Sequence, residues 1–126
     1  MNSVVHFEIP YNNGQRAKKF YKEVFDWKLN DMPEMDYTIV HTVEVDENQM
    51  PKRAGAINGG MTERVDDEGP VLVIDVENID DHLKKIEKAG GKVVMPVITV
   101  GNMGLYARVT DTEGNLIGIW QNLPQE

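Results

Sequence analysis

The sequence predicts an α+β fold built from two βαβββ modules, whose curved mixed sheets surround a concave cleft. Three observations support this prediction. Strand-like and helical periodicities follow each other in the same order twice along the chain. Each helix has one apolar face. The turn-forming stretch "TERVDDEGP" separates the two series. One helix in each module should cover the convex side of its sheet.

The first strand, in "SVVHFEIP", has two different faces. Read with period 2, Val5, Phe7 and Ile9 fall on one face, which we expect to be buried under the helix. His6 and Glu8 fall on the other face, which should be concave and could form a site.

The rest of the first module is one helix and three strands. "NNGQRAKKFYKEVF" predicts a helix capped by Asn12 or Asn13. "WKLNDM", "YTIVHTVEV" and "AINGGMT" predict the strands, and the second of these extends to Val45. The apolar face of the helix consists of Ala17, Phe20, Tyr21 and Val24.

The second module repeats the order. "PVLVIDVEN" is a strand that should bury Leu72, Ile74 and Val76. A helix follows, capped by Asn78 and closed by Gly90 and Gly91. "KVVMPVITV", "GLYARVTD" and "NLIGIWQ" are the remaining strands. The helices superpose as "AKKF" over "LKKI". The modules span about residues 4–62 and 70–122 of a single domain, 1–126.

Composition limits the function. The net charge of −8 argues against partnership with nucleic acid or an anionic membrane, because both require a basic surface. The chain has no cysteine, which excludes disulfides and thiolate metal sites. No apolar run approaches membrane-spanning length, and Glu8 and Pro10 interrupt any signal peptide. We therefore expect a cytoplasmic protein.

These segments resemble the vicinal oxygen chelate (VOC) superfamily, which includes glyoxalase I, bleomycin resistance proteins and extradiol dioxygenases. The resemblance covers roughly Val4 to Gln121. It is carried by "HFEIPYNNGQRAKKFYKEVFDWKL", "VIDVENIDDHLKKIEKAGGKVVMP" and "RVTDTEGNLIGIWQ". Within the superfamily, "DMPEMDYTIV" and "GNLIGIWQ" resemble segments of small bacterial and archaeal proteins described as related to lactoylglutathione lyase. The resemblance also implies a homodimer, formed by edge pairing or by exchange of halves.

Enzymes of this superfamily commonly hold a divalent metal with ligands from four strands. The resemblance assigns these positions to His6, the neighbourhood of Asn58, Val71 and Gly118. Only His6 can coordinate a metal, and one imidazole is too few ligands. We therefore expect no cofactor, with His6 as a remnant ligand and a divalent metal as the alternative.

The candidate ligand-binding residues are His6, Glu8, Asn58 and Trp120. His6 could contact a ligand or be a packed structural histidine, and Glu8 could tune its pKa or lie at the sheet rim in water. Trp120 alternates with Gly118 and could form a wall for a flat ligand or part of the core. His41 could approach His6 or pack among apolar residues, and His82 should lie in solvent.

Three functions remain open. The first is a small-molecule binding protein whose cleft takes an apolar or aromatic compound. The second is a lyase, isomerase or dioxygenase-type enzyme, with a rearranged metal site or metal-free acid–base chemistry at His6 and Glu8. The third is an interaction module without a small ligand. Loss of metal ligands favours the first, and catalytic residues cannot be assigned from the sequence.

Overall fold

The elements of the computed structural model, which describes residues 1–124, follow the predicted order. The first module contains β1 (Val4–Tyr11), α1 (Gly14–Phe25), β2 (Lys28–Met32), a short 3₁₀ helix (Pro33–Met35), β3 (Tyr37–His41) and β4 (Gly59–Glu63). The second contains β5 (Val71–Asp75), α2 (Ile79–Lys88), β6 (Lys92–Val100), β7 (Gly104–Thr110) and β8 (Leu116–Asn122). The α+β class and the duplicated βαβββ order are confirmed.

The chain divides into two compact units. One is His6–Pro70, and the other joins Met1–Val5 to the chain from Val71 onward. The strand order is β2-β3-β4-β1 in the first module and β6-β7-β8-β5 in the second. β1/β4 and β5/β8 are parallel, whereas the other pairs are antiparallel, so each sheet is mixed. The module limits 4–62 and 70–122 and the single-domain assignment stay predictions.

Strand register establishes which residues correspond between the modules. Glu8 of β1 pairs with Gly60 of β4. Val73 of β5 pairs with Gly118 of β8. Because paired residues point to the same side of a sheet, each glycine lies on the same face as its β1 or β5 partner. Gly60 and Gly118 therefore occupy equivalent positions.

The opposite face of each sheet carries a set of buried residues that also correspond between the modules. They are Thr38, Val40 and Met61 in the first module and Ala107, Val109 and Ile119 in the second, all at most 4% exposed. Burial of apolar side chains such as these stabilises the folded state.

The two helices begin with the same cap. The side chains of Asn13 and Asn78 accept hydrogen bonds from the backbone N–H groups of Arg16 and Asp81, each at 3.0 Å. Both caps have the same backbone angles, φ −134° and ψ 109°. When the caps are aligned, Leu83 corresponds to the residue after Ala17. The superposition of "AKKF" on "LKKI" is therefore wrong by one residue.

The helices differ in how much they bury. Ile79 of α2 is 1% exposed and belongs to the second module's core, against which Leu83 and Ile86 pack. In α1 no residue is buried, and Phe20 and Val24 are 51% and 56% exposed. The prediction of a buried apolar face on α1 is therefore wrong. Neither helix, among residues 1–124, is long and apolar enough to cross a membrane.

Two residues predicted to be buried are exposed instead. Val5 is 43% exposed and Leu72 is 51% exposed. In the second module, α2 packs mainly on β6, β7 and β8. Leu72 lies on β5, outside the strands that α2 covers. Alternation along a strand shows which side chains share a face, but it does not show whether a helix covers them.

β6 is the edge strand of the second sheet, and its pairing with β7 is irregular. The register shifts between Val93 and Met95 and again between Met95 and Ile98. Pro96 lies inside the second irregular stretch and has no backbone N–H to donate. Such interruptions are typical of edge strands, where they break the row of backbone groups.

Candidate functional site

The face of the first sheet opposite its buried core contains a cluster of polar groups. Glu8, Gly60 and Ile39 form one row across β1, β4 and β3. His6 lies two residues before Glu8, and Tyr37 lies two residues before Ile39, so both share this face. The strand register therefore brings an imidazole, a carboxyl group and a phenol to one side of the sheet.

His6 and Tyr37 are joined by a hydrogen bond. The distance from Nε2 of His6 to the hydroxyl oxygen of Tyr37 is 2.8 Å, and the two rings are inclined by 15°. The Tyr37 ring extends over Gly60, where a Cβ atom would overlap the hydroxyl group and the ring. Gly60 is required here because only a residue without a side chain leaves room for the phenol.

Burial determines the charge state of His6. Removal from water lowers the pKa of His6 below its usual value, while the negative charge of Glu8 acts in the opposite direction. The imidazole is therefore held in its neutral form at neutral pH. Glu8 itself is only 7% exposed, so the alternative that placed it in water at the sheet rim is wrong.

Asn58 holds the segment that follows β3. Its Oδ1 atom accepts hydrogen bonds from the backbone N–H groups of Thr42, at 2.8 Å, and Val43, at 3.3 Å. β3 consequently ends at His41 instead of reaching Val45. The Nδ2 atom of Asn58 is buried, and no group among residues 1–124 accepts a hydrogen bond from it. The role of Asn58 in ligand binding stays a prediction.

Trp120 belongs to the second module and lies on β8 opposite Tyr106 of β7. Its indole N–H donates to Oδ1 of Asn122 at 2.8 Å. A Cβ atom at Gly104 would overlap the indole ring, so the ring packs directly on the backbone of β7. Trp120 is partly buried, and its ring centre is 6.4 Å from that of Tyr106. Its contact with a ligand stays a prediction.

The second module repeats the tyrosine–glycine arrangement of the first. A Cβ atom at Gly118 would come within 2.6 Å of the Tyr106 hydroxyl oxygen. That hydroxyl accepts a hydrogen bond from Nε of Arg108 at 3.1 Å. Tyr106 and Arg108 were not predicted as site residues from the sequence, and no role was predicted for Tyr37. The repeated pattern Tyr-x-x-Val in "YTIV" and "YARV" was the available signal.

These positions do not suit a divalent metal. The register places Gly60, two residues after Asn58, in correspondence with Gly118. Two of the four positions expected to supply ligands are therefore glycines, and Val71 provides no ligand atom. Within residues 1–124, no group of three or more histidine or carboxylate side chains could hold a metal ion.

The other two histidines are placed as follows. His41 lies at the end of β3, on the Tyr37 face, opposite Lys28 of β2. His82 lies in α2 and is partly buried. The expectation that His82 lies in solvent is therefore met only in part.

The chain is similar to proteins named as glyoxylases. It is 28% identical over 107 residues to the Mycobacterium bovis protein named "Putative glyoxylase CFP32", covering 83% of this chain. The chain matches only 40% of the length of that relative.

Solved structures share the fold. Methylmalonyl-CoA epimerase from Mycobacterium tuberculosis superposes with a TM-score of 0.64 at 15% identity, covering 96% of this chain and 88% of that one. A glyoxalase/bleomycin resistance protein/dioxygenase superfamily member from Vibrio splendidus gives a TM-score of 0.65 at 11% identity, covering 97% and 100%. Residues 3–119 match the family model itself. With its duplicated βαβββ order, the chain belongs to the Glyoxalase/Bleomycin resistance protein/Dioxygenase superfamily.

Proposed function

We propose that this protein binds a small apolar or aromatic molecule and that it does so without a resident metal. The observation that carries the proposal is the hydrogen bond between His6 and Tyr37 above Gly60. In the first module, the Tyr37 hydroxyl is hydrogen-bonded to His6, the residue that the superfamily resemblance assigns as a metal ligand. A neutral imidazole and a phenol are hydrogen-bonding groups for an organic ligand, and they do not replace a carboxylate ligand.

The proposed roles follow from the chemistry of each group. His6 contacts the ligand through its ring, and Tyr37 fixes the orientation of that ring. If the Tyr37 hydroxyl donates to Nε2, then Nδ1 carries the proton and is a donor. If Nε2–H donates instead, Nδ1 is an acceptor. Glu8 keeps the surroundings of His6 negative and so opposes the loss of its proton.

Asn58, in the first module, and Trp120, in the second, are each proposed to contact a ligand. Each is placed by its own module, Asn58 by its bond to Thr42 and Trp120 by its bond to Asn122. Side chains held by such bonds lose little further freedom when a ligand binds. We also propose a cytoplasmic location, and a homodimer as the superfamily resemblance implies.

A metal-free enzyme is the second candidate function. Its support is a neutral imidazole beside a buried carboxyl group, since such groups can transfer a proton. The relatives named glyoxylases agree with this candidate. In that case His6 would act as the base, and Tyr37 would position it.

Metal analysis and ligand binding test the proposal together. Protein purified without chelators should contain far less than one equivalent of Ni, Zn, Fe or Mn, and these salts should not raise its melting temperature. A thermal-shift screen of aromatic compounds, 2-oxo acids and glutathione adducts should find a ligand. His6→Gln should weaken that ligand about tenfold or more, whereas the control His82→Gln should not.

Near-stoichiometric metal that is lost in His6→Gln would overturn the metal-free proposal. A ligand whose affinity is the same in wild type and His6→Gln would remove His6 from the site. Turnover of the ligand, abolished by His6→Gln while binding persists, would favour the enzyme over the binding protein.

A further inference from the structure

One row of side chains crosses the second sheet on the face opposite its buried core. The strand register places Ile98 of β6, Tyr106 of β7, Trp120 of β8 and Asp75 of β5 side by side in this order. Because adjacent strands are about 5 Å apart, each side chain is next to the following one. Ile98 is 47% exposed, and the other three residues are partly buried. An apolar and aromatic surface therefore ends at a carboxyl group.

Asn122 connects the last two members of this row. It follows Trp120 by two residues on β8, so it shares the same face. Its Oδ1 atom accepts a hydrogen bond from the indole N–H of Trp120 at 2.8 Å, and its Nδ2 atom donates one to Oδ1 of Asp75 at 3.5 Å. The indole ring also packs on the β7 backbone at Gly104. The indole and the carboxyl group are thus held next to each other before any ligand binds.

The negative charge of Asp75 has little compensation. A carboxylate has about four acceptor positions, and among residues 1–124 the Asp75 side chain accepts one long bond, from Asn122. No basic group in this part of the chain forms an ion pair with Asp75. Arg108 shares the face but lies on β7, two strands from β5, and donates to the Tyr106 hydroxyl. A partly buried carboxylate in this position favours a cation as its partner.

We propose that this row binds a protonated amine with an aromatic body. The ammonium group pairs with Asp75 and lies against the indole of Trp120, the side chain whose ring attracts cations most strongly. The rings of Trp120 and Tyr106 contact the aromatic body, together with Ile98. The net charge of −8 favours a cation over an anion. The inference rests on the proposed small-molecule function and names a class of ligand for it, but it depends on residues other than His6.

NMR titration with tryptamine and its neutral analogue tryptophol tests the inference. Tryptamine should give saturable shifts of the Trp120 indole N–H and the Asn122 side-chain amide in ¹⁵N-labelled protein. Tryptophol has the same ring system with a hydroxyl in place of the ammonium group. It should bind at least about tenfold more weakly, because it has no charge to pair with Asp75.

Three variants locate the site. Asp75→Asn should weaken tryptamine binding about tenfold or more, because it removes the charge and keeps the shape of the side chain. Glu87→Gln is the matched control, since Glu87 is an exposed acid of the same module and its loss changes the net charge equally. Asn122→Ala should weaken tryptamine by a smaller factor than Asp75→Asn, because it releases the indole and the carboxyl group without removing either.

The comparison of tryptamine with tryptophol uses the wild-type protein, so it holds even if a variant does not fold. Equal affinity for the two compounds would overturn the inference, as would no saturable binding of tryptamine. Equal affinities in Asp75→Asn and Glu87→Gln would also overturn it, because net charge alone would then account for binding. Tryptamine affinity that falls in His6→Gln and not in Asp75→Asn would overturn this inference and leave the proposed function intact. The reverse dependence would support this inference and contradict the role proposed for His6.

Discussion

Tyr37 and Tyr106 occupy the same position in the two modules, and each places its hydroxyl against a glycine of the neighbouring strand. The glycines, Gly60 and Gly118, also correspond. The partner of the hydroxyl differs between the modules, because it is His6 in the first and Arg108 in the second. Both modules therefore have a phenol at this position, and each phenol is hydrogen-bonded to a different residue.

Gly60→Ala should destabilise the protein by about 1–3 kcal/mol, because the new methyl group would overlap the Tyr37 ring. The control is Gly69→Ala, where a Cβ meets nothing within 4 Å and the change should be within about 0.5 kcal/mol. Urea unfolding measures both. In a Tyr37→Ala background the Gly60→Ala cost should shrink, and equal costs in both backgrounds would show that the two residues are not coupled.

Tyr37→Phe should lower the free energy of unfolding by about 0.5–1.5 kcal/mol, since it removes the hydroxyl that bonds to His6. It should also change the ¹⁵N shifts of the His6 ring, which report the tautomer. Tyr11→Phe serves as the control for loss of a phenol hydroxyl elsewhere on the sheet. If the His6 ring shifts were unchanged in Tyr37→Phe, the hydrogen bond would not exist in solution.

The stability should depend on pH through His6. Burial lowers the pKa of His6 in the folded state below its usual 6.5, so the unfolded chain binds a proton more readily. Stability should therefore be full above about pH 6.5 and decrease as the pH falls from there through the folded-state pKa. Urea unfolding at about pH 7.5 and pH 5.5 measures the loss. His6→Gln should make that loss smaller, and an identical loss in the variant would assign the effect to other groups.

Asn58→Ala should destabilise the protein by about 1–3 kcal/mol, because the backbone N–H groups of Thr42 and Val43 would lose their acceptor. Asn58→Asp keeps an oxygen at the same place and should cost less than Asn58→Ala. Hydrogen exchange at Thr42 and Val43 gives a local measurement. Equal exchange rates in wild type and Asn58→Ala would contradict the role of Asn58 in holding this segment.

The two helices should respond differently to truncation. Ile79→Ala should cost about 2–5 kcal/mol, because Ile79 is 1% exposed in the core of the second module. Val24→Ala in α1 should change stability by less than about 0.5 kcal/mol, because Val24 is 56% exposed. A large loss in Val24→Ala would show that α1 is covered in solution, for example in the expected homodimer.

The sequence could predict the elements because local signals define them. The caps Asn13 and Asn78, the glycine end of α2 and the alternation in each strand are properties of a few adjacent residues. The turn "DTEGN", which joins β7 to β8, is also stabilised by contacts between adjacent residues. The Asp111 side chain accepts hydrogen bonds from the side-chain amide of Asn115 and from the backbone N–H groups of Asn115 and Glu113, and these bonds lower the pKa of Asp111.

The candidate site was less predictable because it depends on pairing between distant strands. His6 could be selected from its strand alone, but its partner Tyr37 is 31 residues away. The equivalence of Gly60 with Gly118 depends on register, so the sequence alone could place the fourth-strand position only in the neighbourhood of Asn58. The burial of Glu8 likewise depends on neighbours that alternation along β1 does not reveal.

The interrupted edge of β6 has a consequence for self-association. Strands from different molecules join most easily where an outer strand presents an unbroken series of donors and acceptors. Pro96 and the two shifts of register remove that continuity from the border of the second sheet. Lateral polymerisation through this border is therefore suppressed, and a stable pair of subunits should form through another surface.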